Sequence, residues 1–155
     1  FGIGGHPGFR VPLEEGKRFE DYRLTFARPS RPCRVLLSDS YMLSGHDAPY
    51  PLEDGTTLPL RHSLFDDDAI ILKNFERTMT LSAGEGTHGL TLSCPQMRYL
   101  GIWHQPKTDA PYVCLEPWAS LPSRQDVVED LTQQNDLISL EPVQRYENRW
   151  TITIF

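Results

Sequence analysis

Arg77-Thr78-Met79-Thr80-Leu81-Ser82, Ala83-Gly84-Glu85-Gly86-Thr87-His88-Gly89 and Leu90-Thr91-Leu92-Ser93-Cys94 form the continuous stretch on which the fold class turns. Two short runs flank a glycine-rich tip, and in the second run Leu90, Leu92 and Cys94 recur at period two. A period of two buries one face of a strand, so the stretch reads as a β-hairpin. The same pattern continues outward in both directions. Tyr22, Leu24 and Phe26 alternate with Arg23 and Thr25 and should face a core. Residues 34–37 and 69–72 are short runs suited to burial on both faces. Residues 99–103 and 112–116 read as a second strand pair, and Trp150, Ile152 and Ile154 alternate with Thr151 and Thr153 in a terminal strand. Short strands punctuated by turn residues indicate an all-β chain, an antiparallel sandwich or barrel. One short helix is expected from Ser123, with Asp126 three positions on and Val127, Val128 and Leu131 behind it. The proline-rich residues 47–59 read as a loop.

Composition sets the outer bounds. The chain has 155 residues, 39% of them hydrophobic and 23% charged, with 13 Pro and 11 Gly. A chain of that length suits one domain and buries about two-thirds of its unfolded surface. No apolar run is long enough for a spanning helix, and residues 1–10 lack the features of a signal peptide. The net charge is −6, with Lys and Arg scattered, which argues against a nucleic-acid backbone or an anionic membrane as partner. Cys33, Cys94 and Cys114 are odd in number, widely spaced and free of any C-x-x-C pair. Cys94 and Cys114 read as small buried residues in strands, and the cysteine pattern suggests a reducing, cytoplasmic setting.

Three segments are candidates for chemistry. Gly2-Ile3-Gly4-Gly5-His6-Pro7 matches neither phosphate-loop pattern, and no helix follows it. Its glycines allow backbone or ligand to approach a strand end closely, and Pro7 restricts the chain after His6. His6 is thus either a structural residue or a functional group in cleared space. His46, His62, His88 and His104 have no metal-ligand spacing, and His88 falls in the hairpin tip. The run Asp66-Asp67-Asp68 fits no EF-hand loop. It is either a solvated turn or, at Asp68 before Ala69-Ile70-Ile71-Leu72, a carboxylate at a strand mouth.

In Tyr112-Val113-Cys114-Leu115-Glu116-Pro117-Trp118, a strand places Tyr112, Cys114 and Glu116 on one face and Val113 and Leu115 on the other. Pro117 should end that strand. An acid that continues a half-buried face must be paired, and burial lifts its pKa toward the range of proton transfer. Glu116 is therefore either a salt-bridge partner or an acid–base group. Trp103 reads as a core residue, whereas Trp118 suits the aromatic wall of a sugar site.

Gly4-Gly5-His6-Pro7, Asp68-Ala69-Ile70-Ile71, Tyr99-Leu100-Gly101-Ile102-Trp103 and Cys114-Leu115-Glu116-Pro117-Trp118 occur in that order. With them the chain resembles the aldose 1-epimerase, or galactose mutarotase-like, family, in its bacterial branch with G-G-H-P and C-I-E-P-W motifs. The resemblance implies an antiparallel β-sandwich that interconverts the α and β anomers of a free aldose such as a hexose, with no metal or other cofactor. It further implies His6 as general acid, Glu116 as general base, Asp68 as the holder of sugar hydroxyls, and Trp118 as a sugar contact. The family carries a further N-x-x-H-G or R-H-G segment upstream of the G-G-H-P histidine, in a domain about twice as long. The resemblance therefore casts residues 1–155 as the C-terminal portion of one mutarotase-like domain, with the missing N-terminal half as a partner. Two other functions stay open: a non-catalytic carbohydrate-binding module, and a sugar-phosphate mutarotase, for which Arg10 would be the nearby basic group.

Overall fold

The computed structural model describes all of residues 1–155. Eleven strands run in chain order as β1 (Gly8–Arg10), β2 (Tyr22–Phe26), β3 (Cys33–Leu37), β4 (Leu43–Pro49), β5 (Thr57–Pro59), β6 (Ile70–Lys73), β7 (Thr78–Ala83), β8 (Gly89–Ser93), β9 (Tyr99–Trp103), β10 (Tyr112–Trp118) and β11 (Thr151–Ile154). They form two antiparallel sheets, a six-stranded one in the order β1–β10–β9–β6–β3–β4 and a five-stranded one in the order β11–β8–β7–β2–β5. Helical structure is limited to two single 3-10 turns, Phe19–Asp21 and His62–Phe65.

Period-two alternation builds the core. Leu24 and Phe26 of β2, Met79 and Leu81 of β7, and Leu90 and Leu92 of β8 meet Ile70 and Leu72 of β6, Leu100 and Ile102 of β9, and Val113 and Leu115 of β10 in one buried cluster. The hairpin of β7 and β8 pairs Leu81 with Leu90 and Met79 with Leu92, as the alternation requires. Residues of β10, β9, β6 and β3 that point away from this core form the outer face of the six-stranded sheet. There Val35, Leu43 and Ile71 make a small second cluster, with Tyr99, Trp118 and Leu121 packed against it.

The structure corrects several expectations. Residues 123–131 form no helix: Asp126 takes a left-handed φ of +59°, and Val128 and Leu131 are exposed. An isolated helix of two or three turns is marginal in water, and here its apolar residues find no surface to cover. Residues 47–59 are not all loop, because β4 and β5 occupy both ends of that stretch. Each is the last strand of its sheet, where a proline without an N–H is tolerated. Pro117 does not end β10 either, but pairs with Leu100 inside it. The Leu115 N–H donates to the Pro7 carbonyl and the Gly5 N–H to the Pro117 carbonyl, so the missing N–H faces the sheet edge. In residues 34–37 only Val35 is buried, since β3 adjoins the edge strand, while Ile70, Ile71 and Leu72 are buried on both faces as expected. Ile154 ends an edge strand and is exposed.

Candidate functional site

Strand register brings the two ends of the site together. Gly8 pairs with Cys114 and Gly4 bridges to Trp118, so His6 falls opposite Glu116 across the same antiparallel ladder. The His6 Nε2 lies 3.3 Å from the Glu116 Oε1. Burial is unequal: the His6 side chain is 62% exposed and the Glu116 side chain 5%. Burial pushes the Glu116 carboxyl above its ordinary range, while the His6 ring and the Trp118 indole N–H pull it back and the Asp68 charge adds to the rise. The result is a carboxylate out of water whose one ionisable contact faces solvent, an arrangement able to accept and return a proton.

Trp118 lies beside this pair because two glycines admit it. A Cβ on Gly4 would come within 2.7 Å of the pyrrole side of the indole, and one on Gly101 within 3.1 Å of its benzene side and 3.2 Å of the Glu116 Cβ. Gly101 is the β9 partner of Glu116, so on that side no side chain crowds the carboxylate. Trp118, His6 and the backbone of residues 2–5 line an open pocket of about 420 Å³ that Ser120, Leu121 and Pro122 complete. A larger cavity of about 670 Å³ shares only Ile3 with it and is lined chiefly by residues 145–149, with none of the four expected site residues. Position next to the His6–Glu116 contact, not size, singles out the smaller one.

Asp68 reaches the site through Trp103. The Trp103 Nε1–H donates to the Asp68 Oδ1 at 2.7 Å, and the same indole meets the His6 ring edge-on, centroids 5.9 Å apart. Asp68 adopts a left-handed φ of +69° after the His62–Phe65 turn, its N–H bonded to the Phe65 carbonyl, while Asp66 and Asp67 are exposed. Of the three aspartates, Asp68 is the one turned to the sheet. Trp103 is therefore not a core residue. It belongs to neither apolar cluster and links two of the expected site residues. Residue 103 shares a strand face with Gly101, which β9 alternation alone would indicate once Gly101 is known to oppose Glu116.

Cys114 completes this face. It is buried, pairs with Gly8 on one side and Trp103 on the other, and its thiol is pushed up to about 11 by burial and the nearby Glu116 carboxylate. Arg10 lies apart from the pocket, lining a different depression with Pro12, Leu13, Glu14, Glu15, Gly16 and Lys17.

Sequence reasoning also passed over His104, which is fully buried. Its Nδ1 lies 2.7 Å from the Gln105 carbonyl and so carries the proton, which leaves Nε2 to accept from the His62 Nδ1 at 3.1 Å. Phe19 stacks on His62 and meets His104 edge-on. Burial pushes His104 below its ordinary value, the Gln105 bond opposes that, and the adjacent His62 adds to the drop. No spacing pattern marks two histidines 42 residues apart as partners.

Comparison with known proteins places this geometry. No family model matches the sequence. The chain is 30% identical over 155 residues to the chromosomal and plasmid forms of the protein LacX of Lactococcus lactis subsp. lactis, covering 98% of this chain and 51% of each relative. It thus spans about half the length of the curated relatives it matches. A galactose mutarotase related enzyme from Lactobacillus acidophilus superimposes on all of the chain with a TM-score of 0.89 at 26% identity, over 52% of that protein. A galactose mutarotase-like protein from Lactobacillus casei ATCC 334 does so over 99% of the chain and 51% of its own length, with a TM-score of 0.77 at 27% identity. A galactose mutarotase-like protein from Clostridium acetobutylicum shares the fold alone, with a TM-score of 0.61 at 15% identity. The two-sheet architecture is the galactose mutarotase-like sandwich of these solved structures. No helix is long and apolar enough to cross a membrane.

Proposed function

We propose that this chain carries the acid–base half of an aldose 1-epimerase that interconverts the α and β anomers of a free hexose. The observation that supports this reading best is the contact between buried Glu116 and exposed His6, which lines an open pocket. Ring opening needs a proton delivered to the ring oxygen while the C1 hydroxyl gives one up. Both oxygens are bonded to C1, so the two protein groups must stand within a few ångströms of each other, as these do. In the proposed cycle protonated His6 donates to the ring oxygen, Glu116 accepts from the C1 hydroxyl, and the C1–ring-oxygen bond breaks to leave an open-chain aldehyde. Rotation about C1–C2 presents the other carbonyl face. The alcohol then attacks C1, His6 regains its proton from the ring oxygen, and Glu116 returns its own to the new C1 hydroxyl. Protons balance over the cycle and no redox step enters.

Asp68 holds sugar hydroxyls with the carboxylate oxygen that Trp103 leaves free, and Trp118 faces the apolar side of the ring. The chain would act as the C-terminal portion of a single domain whose other half supplies further sugar contacts, in keeping with its match to about half of each relative. A cytoplasmic setting belongs to the same proposal and rests on three free cysteines. Polarimetry of fresh α-glucose or α-galactose with the complete domain tests it. Decay of rotation should exceed the buffer rate and collapse in Glu116→Gln. Sugar binding without any acceleration would instead identify a carbohydrate-binding module.

A further inference from the structure

The face that carries His6 and Glu116 also carries Cys114, and the three residues offer three kinds of metal ligand. The imidazole nitrogen, the thiol sulfur and a carboxylate oxygen all lie within 4.8 Å of one another. Two of them come from β10 at positions 114 and 116, on one strand face, and the third from the ladder opposite. The sequence hides the set because His6 stands more than a hundred residues from the others, far outside any ligand-spacing motif.

We propose that His6, Cys114 and Glu116 form a binding site for a thiophilic divalent cation of the zinc type. Imidazole nitrogen, thiolate sulfur and carboxylate oxygen are each zinc ligands, and three protein ligands with a fourth position left open is the plan of catalytic zinc sites. Bonds of about 2.0–2.3 Å to a tetrahedral ion set ligand atoms about 3.3–3.8 Å apart. The His6–Glu116 separation of 3.3 Å already falls there. No separation in the set exceeds 4.8 Å, so seating an ion needs ligand atoms to close by no more than about 1.5 Å. Cys114 and Glu116 are buried on a central strand and supply the fixed part of the site. His6, the exposed member of the set, also lines the pocket beside Trp118, so water can reach the site to complete the coordination. A hard cation such as Mg²⁺ is disfavoured, since it takes oxygen ligands and holds its waters. The inference stands on this geometry and not on the catalytic reading.

Cobalt(II) tests it, as a spectroscopic stand-in for zinc. Titration of the purified protein with Co²⁺ should give one equivalent of a species with a thiolate-to-cobalt charge-transfer band and intense tetrahedral visible bands, both erased by one equivalent of Zn²⁺. Cys114→Ser should abolish the charge-transfer band and leave the near-ultraviolet circular dichroism native, whereas Cys33→Ser should keep the band. His6→Ala, at an exposed position that folding does not depend on, should weaken Zn²⁺ binding at least tenfold by calorimetry. Absence of a charge-transfer band in the wild-type protein overturns the proposal, as does a band that survives in Cys114→Ser, or Zn²⁺ affinity unchanged in His6→Ala. If the protein proves to lack mutarotase activity, these outcomes keep their meaning, because none reads turnover.

Discussion

Two histidine pairs in this molecule have opposite designs. At the sheet edge His6 is mostly exposed and touches a buried carboxylate, while beneath the His62–Phe65 turn His104 is fully buried against another histidine. Both nitrogens of His104 are committed, one to a backbone carbonyl and one to His62, and aromatic rings enclose it. His6 meets the Glu116 carboxylate and the edge of Trp103 and is otherwise mostly exposed. A fully satisfied buried pair holds one conformation, whereas a half-satisfied pair at a pocket keeps a proton available. In the proposed mechanism the difference separates structural from chemical use of the same side chain.

The most severe way to break the comparison is at Glu116. Glu116→Gln should cut mutarotation by the complete domain about 10³-fold, the scale of a lost acid–base group, and His6→Ala should do likewise. Neither change should lower the melting temperature appreciably: Glu116→Gln removes a charge that burial disfavours, and substitutions at exposed positions such as 6 usually fall within about 0.5 kcal/mol. Thermal melts beside polarimetry check both halves of that statement. The reverse pattern belongs to the other pair. His104→Ala should cost about 2–4 kcal/mol in chemical denaturation, through the cavity and the His62 donor left unpaired, with little effect on the turnover of molecules that remain folded.

A smaller change sharpens what Trp103 does between Asp68 and His6. Trp103→Phe retains the aromatic packing but deletes the N–H that orients Asp68. Sugar KM should rise about fivefold to tenfold, the loss of one hydrogen bond to a charged group, with a much smaller change in kcat. An equal fall in kcat with unchanged KM would place Trp103 in proton transfer instead.

The smallest expected effect separates the pairs by sign. His104 is held below its ordinary value of 6.5, so the unfolded chain takes up a proton there before the native one does. Its contribution to stability is present above that value and is lost as pH falls below it toward the native pKa. Glu116 is held above its ordinary value of 4.5, so the native state binds that proton more tightly. That site recovers stability as pH falls from its raised pKa toward the ordinary value. Melting temperatures measured from neutrality down to about pH 5 should therefore fall less steeply in His104→Asn than in the wild type, and more steeply in Glu116→Gln. If Glu116 is the base of the proposed cycle, mutarotation should decline on the acid side at a pH above the ordinary carboxylate range.

Much of the architecture was legible because strand burial has a period of two. The alternation of Tyr22, Leu24 and Phe26, and of Leu90 and Leu92, is a one-dimensional signal of a two-sided sheet, and these residues lie in the core. Elements at the margins were misread for a common reason. The Ser123 segment carried local helix signals with nothing to pack on, and the prolines of β4 and β5 looked like loop residues because only strand order shows that these are edges. Trp103 looked like core because a tryptophan in an apolar run has no mark for which face it takes.

What the sequence determined by itself was which residues share a face of each strand: Cys114 and Glu116 on one side of β10, Val113 and Leu115 on the other. That follows from backbone geometry, which sends successive side chains to opposite faces whatever the partner strand. Only the tertiary structure decided that His6 stands opposite Glu116, that Gly101 clears the space above it, that Trp103 ties Asp68 to the same face, and that His62 meets His104. Register between strands far apart in the chain is selected by burial of the whole sheet at once, and a shift of one residue would turn every one of these side chains to the other face. A local stretch of sequence contains the alternation but not the partner against which it is read.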